Sequence, residues 1–138
     1  MKTTICREVH FNASHRMHNP NWSDKKNTEV YGICNNRNFH GHNYRLIVKL
    51  TGEVDPESGF IINLHDLSTI IKTEIEDRFD HKNLNLDCPE FENKMVSTEN
   101  FAWIIYFILK EKLSEKLKIK VILYETDRNF VEVEEQLK

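Results

Sequence analysis

Cysteine is scarce in this 138-residue chain: Cys6, Cys34 and Cys88 are its only three. They lie far apart, form no Cys-x-x-Cys pair and leave an odd thiol, which excludes a disulfide framework and fits a reducing compartment. Glycine and proline are also few, four and three. No Gly-rich dinucleotide fingerprint occurs, so nothing points to a nicotinamide or flavin. No long apolar run is present either. Lys2, Arg7 and Glu8 break up the N-terminus, so no signal peptide or membrane span is expected and the cytoplasm is the default location. Excess charge of one sign is missing too: the formal net charge is -3, which argues against nucleic acid or an anionic membrane as partner. A local basic pocket for a phosphorylated small molecule is compatible with that balance. The length suits one domain, 1–138, built on one core.

Against these absences stand clear periodicities. Ile5, Arg7, Val9 and Phe11 alternate with Cys6, Glu8 and His10, which predicts a strand. From Asn12 to Phe39 the pattern disappears, and a long, polar and therefore functional loop is expected. Tyr44, Leu46, Val48 and Leu50 alternate with Arg45 and Lys49 as a second strand, followed by a turn at Asp55–Gly59. Leu64, Leu67, Ile70, Ile71, Ile75 and Phe79 recur at helical spacing, with Asn63 placed to cap the start. Phe101, Ile104, Ile105, Ile108, Leu109 and Leu113 repeat the pattern, with Ser97 or Thr98 as N-cap and Glu99 in the first turn. Ile119, Val121 and Leu123 predict a third strand, and Phe130–Glu134 a short fourth. The order ββααββ implies an α+β fold, a four-stranded antiparallel sheet with two helices on one face. Its open edges suggest oligomerisation.

The densest chemistry lies in Cys34-Asn35-Asn36-Arg37-Asn38-Phe39-His40-Gly41-His42. In an extended segment His40 and His42 project to one side, and Gly41 between them leaves room for an ion. A catalytic zinc commonly takes three protein ligands and keeps a fourth position open. His15, at the end of the first strand, is the candidate third ligand, with His18 as its rival. Three imidazoles without a thioether favour zinc over copper. Cys34 is open to three readings: a fourth ligand closing the site, a reactive thiolate beside the metal, or an inert buried thiol. Asp80-His81 pairs a carboxylate with an imidazole, as proton relays do, or else places a histidine at a helix C-terminus. Glu125 falls on the apolar face of its strand, where a carboxylate needs a donor. A planar ligand with adjacent N–H groups would supply two; a strand end in solvent, or pairing with Arg128, is the plainer reading.

Taken together, Phe11-Asn12-Ala13-Ser14-His15-Arg16, Cys34 through Tyr44, Asp80-His81-Lys82-Asn83-Leu84, Ser97-Thr98-Glu99-Asn100 and Tyr124-Glu125-Thr126 resemble the 6-pyruvoyl-tetrahydropterin synthase family. That family includes the bacterial 6-carboxy-tetrahydropterin synthases. The resemblance implies a T-fold whose sheets assemble into barrels, typically as homohexamers with active sites shared between subunits. It implies His15, His40 and His42 as zinc ligands, Cys34 as general base, and Asp80 with His81 as a relay from a neighbouring subunit. Glu125 would anchor the pterin, with Thr98 and Glu99 lining its pocket. The implied substrate is 7,8-dihydroneopterin triphosphate, and the implied reaction eliminates triphosphate to form 6-pyruvoyl-tetrahydropterin. The five residues between Cys34 and His40 resemble the 6-pyruvoyl type. The alternative product is 6-carboxy-tetrahydropterin, with acetaldehyde, in queuosine biosynthesis; a non-catalytic pterin-binding assembly protein is a further alternative. Arg37 and Phe39 stand where the animal enzymes usually carry Pro and Gly. Arg16, Lys25, Lys26 and Arg37 are available to meet the triphosphate.

Overall fold

The computed structural model describes residues 1–136. Two long strands form its spine. Strand β1 (Lys2–His15) and strand β2 (His40–Glu53) run antiparallel over their whole lengths, from Lys2 opposite Glu53 to His15 opposite His40. Strand β4 (Lys118–Tyr124) adds to β2, with Leu46 opposite Leu123, and β5 (Phe130–Val133) closes that side. The alternation read from the sequence appears as burial: Val9, Phe11 and Ala13 on β1 and Tyr44, Leu46, Val48 and Leu50 on β2 all face the core. Their neighbours Cys6, Glu8 and His10 are exposed on the opposite face.

Two long helical segments cover the buried face. The first begins at Asn63, whose side chain accepts from the His65 N–H, and runs through α2 (Leu64–Ile71), a π-helical stretch (Lys72–Glu76) and α3 (Asp77–Phe79). Leu67, Ile71, Ile75 and Phe79 are fully buried along it. The second, α5 (Thr98–Lys112), is capped by Ser97, whose Oγ accepts from Asn100 N–H. Phe101, Ile105 and Leu109 drive it into the sheet. Phe101 sits edge-on to Phe11, Tyr44 and Phe79, so sheet and both helical segments meet in one aromatic core.

Two expectations need correction. The sheet is mixed and five-stranded, in the order β3-β1-β2-β4-β5. The extra strand, β3 (Lys82–Asn83), pairs parallel with β1 at Ala13 and Ser14. Two residues are too few to show a period of two, so ββααββ missed it. The second correction concerns Asn12–Phe39. Strand β1 extends to His15, and the segment beyond contains α1 (Asp24–Tyr31) and a 3₁₀ turn (Gly32–Asn35). Helix α1 is held by polar contacts instead of an apolar stripe. Ser23 caps it, and its buried Asn27 donates to the carbonyls of Asn19 and Ser23 while accepting from the Asn19 N–H. Hydrophobic periodicity cannot reveal a helix stabilised in this way. A last short helix, α4 (Leu84–Asp87), follows β3. No helix among the described residues is long and apolar enough to cross a membrane.

Candidate active site and metal centre

Register builds the histidine cluster. His15 lies directly opposite His40, and Ala13 opposite His42. Cross-strand partners share a face, and so do residues two apart on one strand. All three imidazoles therefore project from the helix-covered face at the end of the β1–β2 ladder. Their ring centroids are 4.6 Å (His15–His40), 5.0 Å (His15–His42) and 4.9 Å (His40–His42) apart. One nitrogen from each comes within 4.8 Å of the others. Gly41 points the other way. A Cβ there would lie at an ordinary 3.6 Å from the Ala13 carbonyl oxygen, so the glycine is not what makes room for an ion.

The electrostatics suit a cation. His15 is buried, and its Nδ1 lies 2.7 Å from the Val96 carbonyl oxygen. That carbonyl can only accept, so Nδ1 carries the proton and Nε2 keeps its lone pair. Both nitrogens of His40 and Nε2 of His42 are buried without a hydrogen-bond partner. Orphaned buried nitrogens are costly, and a metal ion would satisfy one on each of these two rings. Burial holds His15 and His42 below the ordinary histidine value, outweighing the Val96 carbonyl at His15 and the Glu125 carboxylate at His42, which raise it. Neutral imidazole is the metal-binding form. The three histidines could thus hold one metal ion, and their all-imidazole donor set fits zinc.

Cys34 and His18 stand outside this cluster. Cys34 is half-buried in the 3₁₀ turn, with its carbonyl accepting from the Met17 N–H at 2.9 Å. His18 turns its Nδ1 to the Asn35 side chain at 3.0 Å. Phe39, just before His40, adopts φ 70°. Glycine takes that left-handed conformation freely, whereas a side chain there costs about 1–2 kcal/mol.

Glu125 reaches the cluster from beyond β4. One carboxylate oxygen accepts from the Thr98 hydroxyl, and the other lies 3.6 Å from His42 Nε2. Ser97 does the capping of α5, which frees Thr98 for this bond. No ion pair with Arg128 occurs among the described residues, so that reading of Glu125 falls. Glu99 is exposed in the first turn of α5.

Asp80 and His81 form a unit built by Asn12. Asp80 Oδ1 accepts from the Asn12 N–H at 3.0 Å, and the His81 N–H donates to the Asn12 carbonyl at 2.7 Å. This double clasp sets the register that makes β3. His81 sits at φ 60° with Nδ1 2.9 Å from Asp80 Oδ1, and its side chain is 75% exposed, leaving Nε2 for a group outside this chain. The Asn12 N–H, reinforced by His81, holds the Asp80 carboxyl below its ordinary value. A groove of about 570 Å³ runs past His42, His81, Lys82 and Asp87. No hydrogen bond among the described residues joins Cys34 to Asp80 or His81.

Sequence reasoning missed the Val96 carbonyl, the Asn12 clasp and the Lys82 wall of the groove. The first two are main-chain contacts that no side-chain pattern announces. Lys82 was legible only as part of the stretch following Asp80-His81. Of the cations offered for a triphosphate, Lys25 pairs with Glu29, Lys26 lies over the Trp22 ring and Arg16 donates to the Asn35 carbonyl.

The family model described as 6-pyruvoyl tetrahydropterin synthase matches residues 4–136. The 6-pyruvoyl tetrahydrobiopterin synthase of Homo sapiens is 42% identical over 127 residues, covering 92% of this chain and 88% of that protein. A 6-carboxy-5,6,7,8-tetrahydropterin synthase of Haemophilus influenzae is 29% identical, covering 75% of this chain and 86% of that protein. The structure of Caenorhabditis elegans 6-pyruvoyl tetrahydropterin synthase superposes with a TM-score of 0.92 at 38% identity, covering 99% of this chain and 97% of that one.

Proposed function

Because the chain belongs to the 6-pyruvoyl tetrahydropterin synthase family, we propose that it is a zinc-dependent lyase converting 7,8-dihydroneopterin triphosphate to 6-pyruvoyl-tetrahydropterin with loss of triphosphate. The observation that carries this reading is the convergence, on one end of the sheet, of three imidazoles and the Thr98-supported carboxylate of Glu125. The residues favour 6-pyruvoyl over 6-carboxy chemistry through the five-residue gap between Cys34 and His40.

His15, His40 and His42 would hold the zinc. Bound there, the ion supplies Lewis acidity to the hydroxyls of the substrate side chain. Glu125 accepts from the 2-amino group and the adjacent ring N–H of the pterin, two parallel charge-assisted bonds that fix the ring. The Thr98 hydroxyl orients that carboxylate, and Glu99 lines the same pocket. Cys34 takes the side-chain protons as general base. Proton transfers alone account for the redox change: C1′ loses hydrogen to become a ketone while N5 and C6 of the ring each gain one. Loss of the C2′ proton with triphosphate from C3′ leaves an enol, which becomes the methyl ketone. No external oxidant or reductant enters.

Asp80 and His81 relay protons for the Cys34 of a neighbouring subunit in a homohexamer. The exposure of His81, and the lack of any hydrogen bond from it to Cys34 among the described residues, support this arrangement. The reaction is tested by measuring zinc content and triphosphate release for the wild type and Cys34→Ala. The expected result is one zinc per chain in both, with release only from the wild type. Equal release by the variant would remove the general base, and loss of zinc would make Cys34 a ligand.

A further inference from the structure

The 3₁₀ turn carrying Cys34 is tied closely to the chain leaving the histidine-bearing strand β1. The Met17 N–H donates to the Cys34 carbonyl at 2.9 Å. Arg16 Nε donates to the Asn35 carbonyl at 2.9 Å. The Asn35 amide nitrogen donates to the Met17 carbonyl at 2.6 Å and lies 3.0 Å from His18 Nδ1. Both amide hydrogens of Asn35 are thereby used on residues just past His15. The Arg16 main chain is clasped in turn by Asn85, whose Oδ1 accepts from the Arg16 N–H at 2.8 Å and whose Nδ2 donates to its carbonyl at 3.0 Å. Cysteine turn, metal-strand exit and the segment after Asp80-His81 therefore share one polar brace.

We propose that Asn35 is a positioning residue for Cys34, locking the cysteine turn to the exit of the metal-bearing strand so that thiol and histidines are held in one frame. The inference rests on the reading of Cys34 as general base. Asn35 is the only side chain in the brace that reaches from the cysteine turn itself, and it sits next to the thiol it would place. A turn without it would keep the Met17 and Arg16 bonds but lose the side-chain hold on the Met17 carbonyl and His18 Nδ1. A displacement of about 1 Å at a proton-transfer group can cost on the order of a hundredfold in rate.

The test compares Asn35→Asp, which keeps the shape and removes both N–H donors, with Asn35→Ala and with Cys34→Ala. Two readouts are taken: kcat and KM for 7,8-dihydroneopterin triphosphate, and site-resolved alkylation of Cys34 by iodoacetamide with exposed Cys6 as internal reference. Zinc content and far-UV circular dichroism accompany both. The expected result is unchanged zinc and dichroism, kcat lowered about tenfold or more with KM little moved, and a Cys34 alkylation rate that changes relative to Cys6. Unchanged kcat and unchanged relative alkylation in Asn35→Asp would overturn the proposal. Loss of zinc or of helical signal in both variants would also overturn it, by making Asn35 a structural residue. Full activity in Cys34→Ala would sink the general-base reading instead, and the alkylation comparison would still judge the brace.

Discussion

Replacing Glu125 with Gln isolates one charge without changing shape. The carboxylate accepts from the Thr98 hydroxyl on one oxygen and lies 3.6 Å from His42 Nε2 with the other. The glutamine carbonyl can still accept from Thr98, so helix α5 and the β4 end stay joined and the melting temperature changes little. The loss falls on the ligand. A pterin offering two parallel N–H groups meets one acceptor and one amide N–H in place of two anionic oxygens. A hydrogen bond to a charged group contributes about 1.5–3 kcal/mol. Losing the stronger limit, about 3 kcal/mol, lowers kcat/KM by roughly 150-fold. The assay is steady-state triphosphate release, with pterin affinity followed by fluorescence and zinc by metal analysis. Zinc should remain at one per chain. A kcat/KM within about threefold of wild type would refute the anchoring argument, because no such pair of charge-assisted bonds would have been lost. Loss of zinc would instead make Glu125 part of the metal centre.

Other outcomes follow from the same geometry. His40→Ala should abolish stoichiometric zinc binding while far-UV circular dichroism persists, because the core of Leu46, Ile71, Phe101 and Leu123 is complete without a metal; a melted helical signal would contradict this. Asp80→Asn should keep the Asn12 clasp but weaken the orientation of His81, cutting turnover by about a hundredfold, which single-turnover kinetics would detect; wild-type turnover would remove the relay. The metal-free protein should lose stability as the pH falls below about 6.5, the ordinary histidine value. Burial keeps His15 and His42 below that value in the folded state, so there the unfolded chain binds protons that the folded chain refuses, and stability rises with pH until the unfolded imidazoles are neutral. Thermal melts across about pH 5.5–8, spanning that value, would check it; a melting temperature that rises on acidification has the wrong sign.

The metal cluster was legible because strands obey a period of two. His40 and His42, two apart, were expected to share a face, but His15 was only a candidate beside His18, because the visible alternation stops at Asn12. The register that sets His15 opposite His40 comes from the structure. The α5 and α2 segments were legible because large apolar residues recur at helical spacing. Where polar atoms carried the structure, the pattern was silent. Helix α1 depends on Ser23 and Asn27, β3 on the Asn12 main chain, whose N–H donates to the Asp80 carboxylate and whose carbonyl accepts from the His81 N–H, and the π-helical stretch leaves the Ile71, Ile75, Phe79 spacing intact. Gly41 was over-read: its neighbours shape the site while the residue itself faces away. The role of Thr98 was legible only once Ser97 was known to cap the helix.

The most direct measurement is the identity of the product. Zinc-loaded protein incubated with 7,8-dihydroneopterin triphosphate should yield 6-pyruvoyl-tetrahydropterin by mass spectrometry, with triphosphate and no acetaldehyde. A 6-carboxy product accompanied by acetaldehyde would contradict the central claim and turn the enzyme toward deazapurine synthesis; bound pterin with no product at all would make it a binding protein on the same fold.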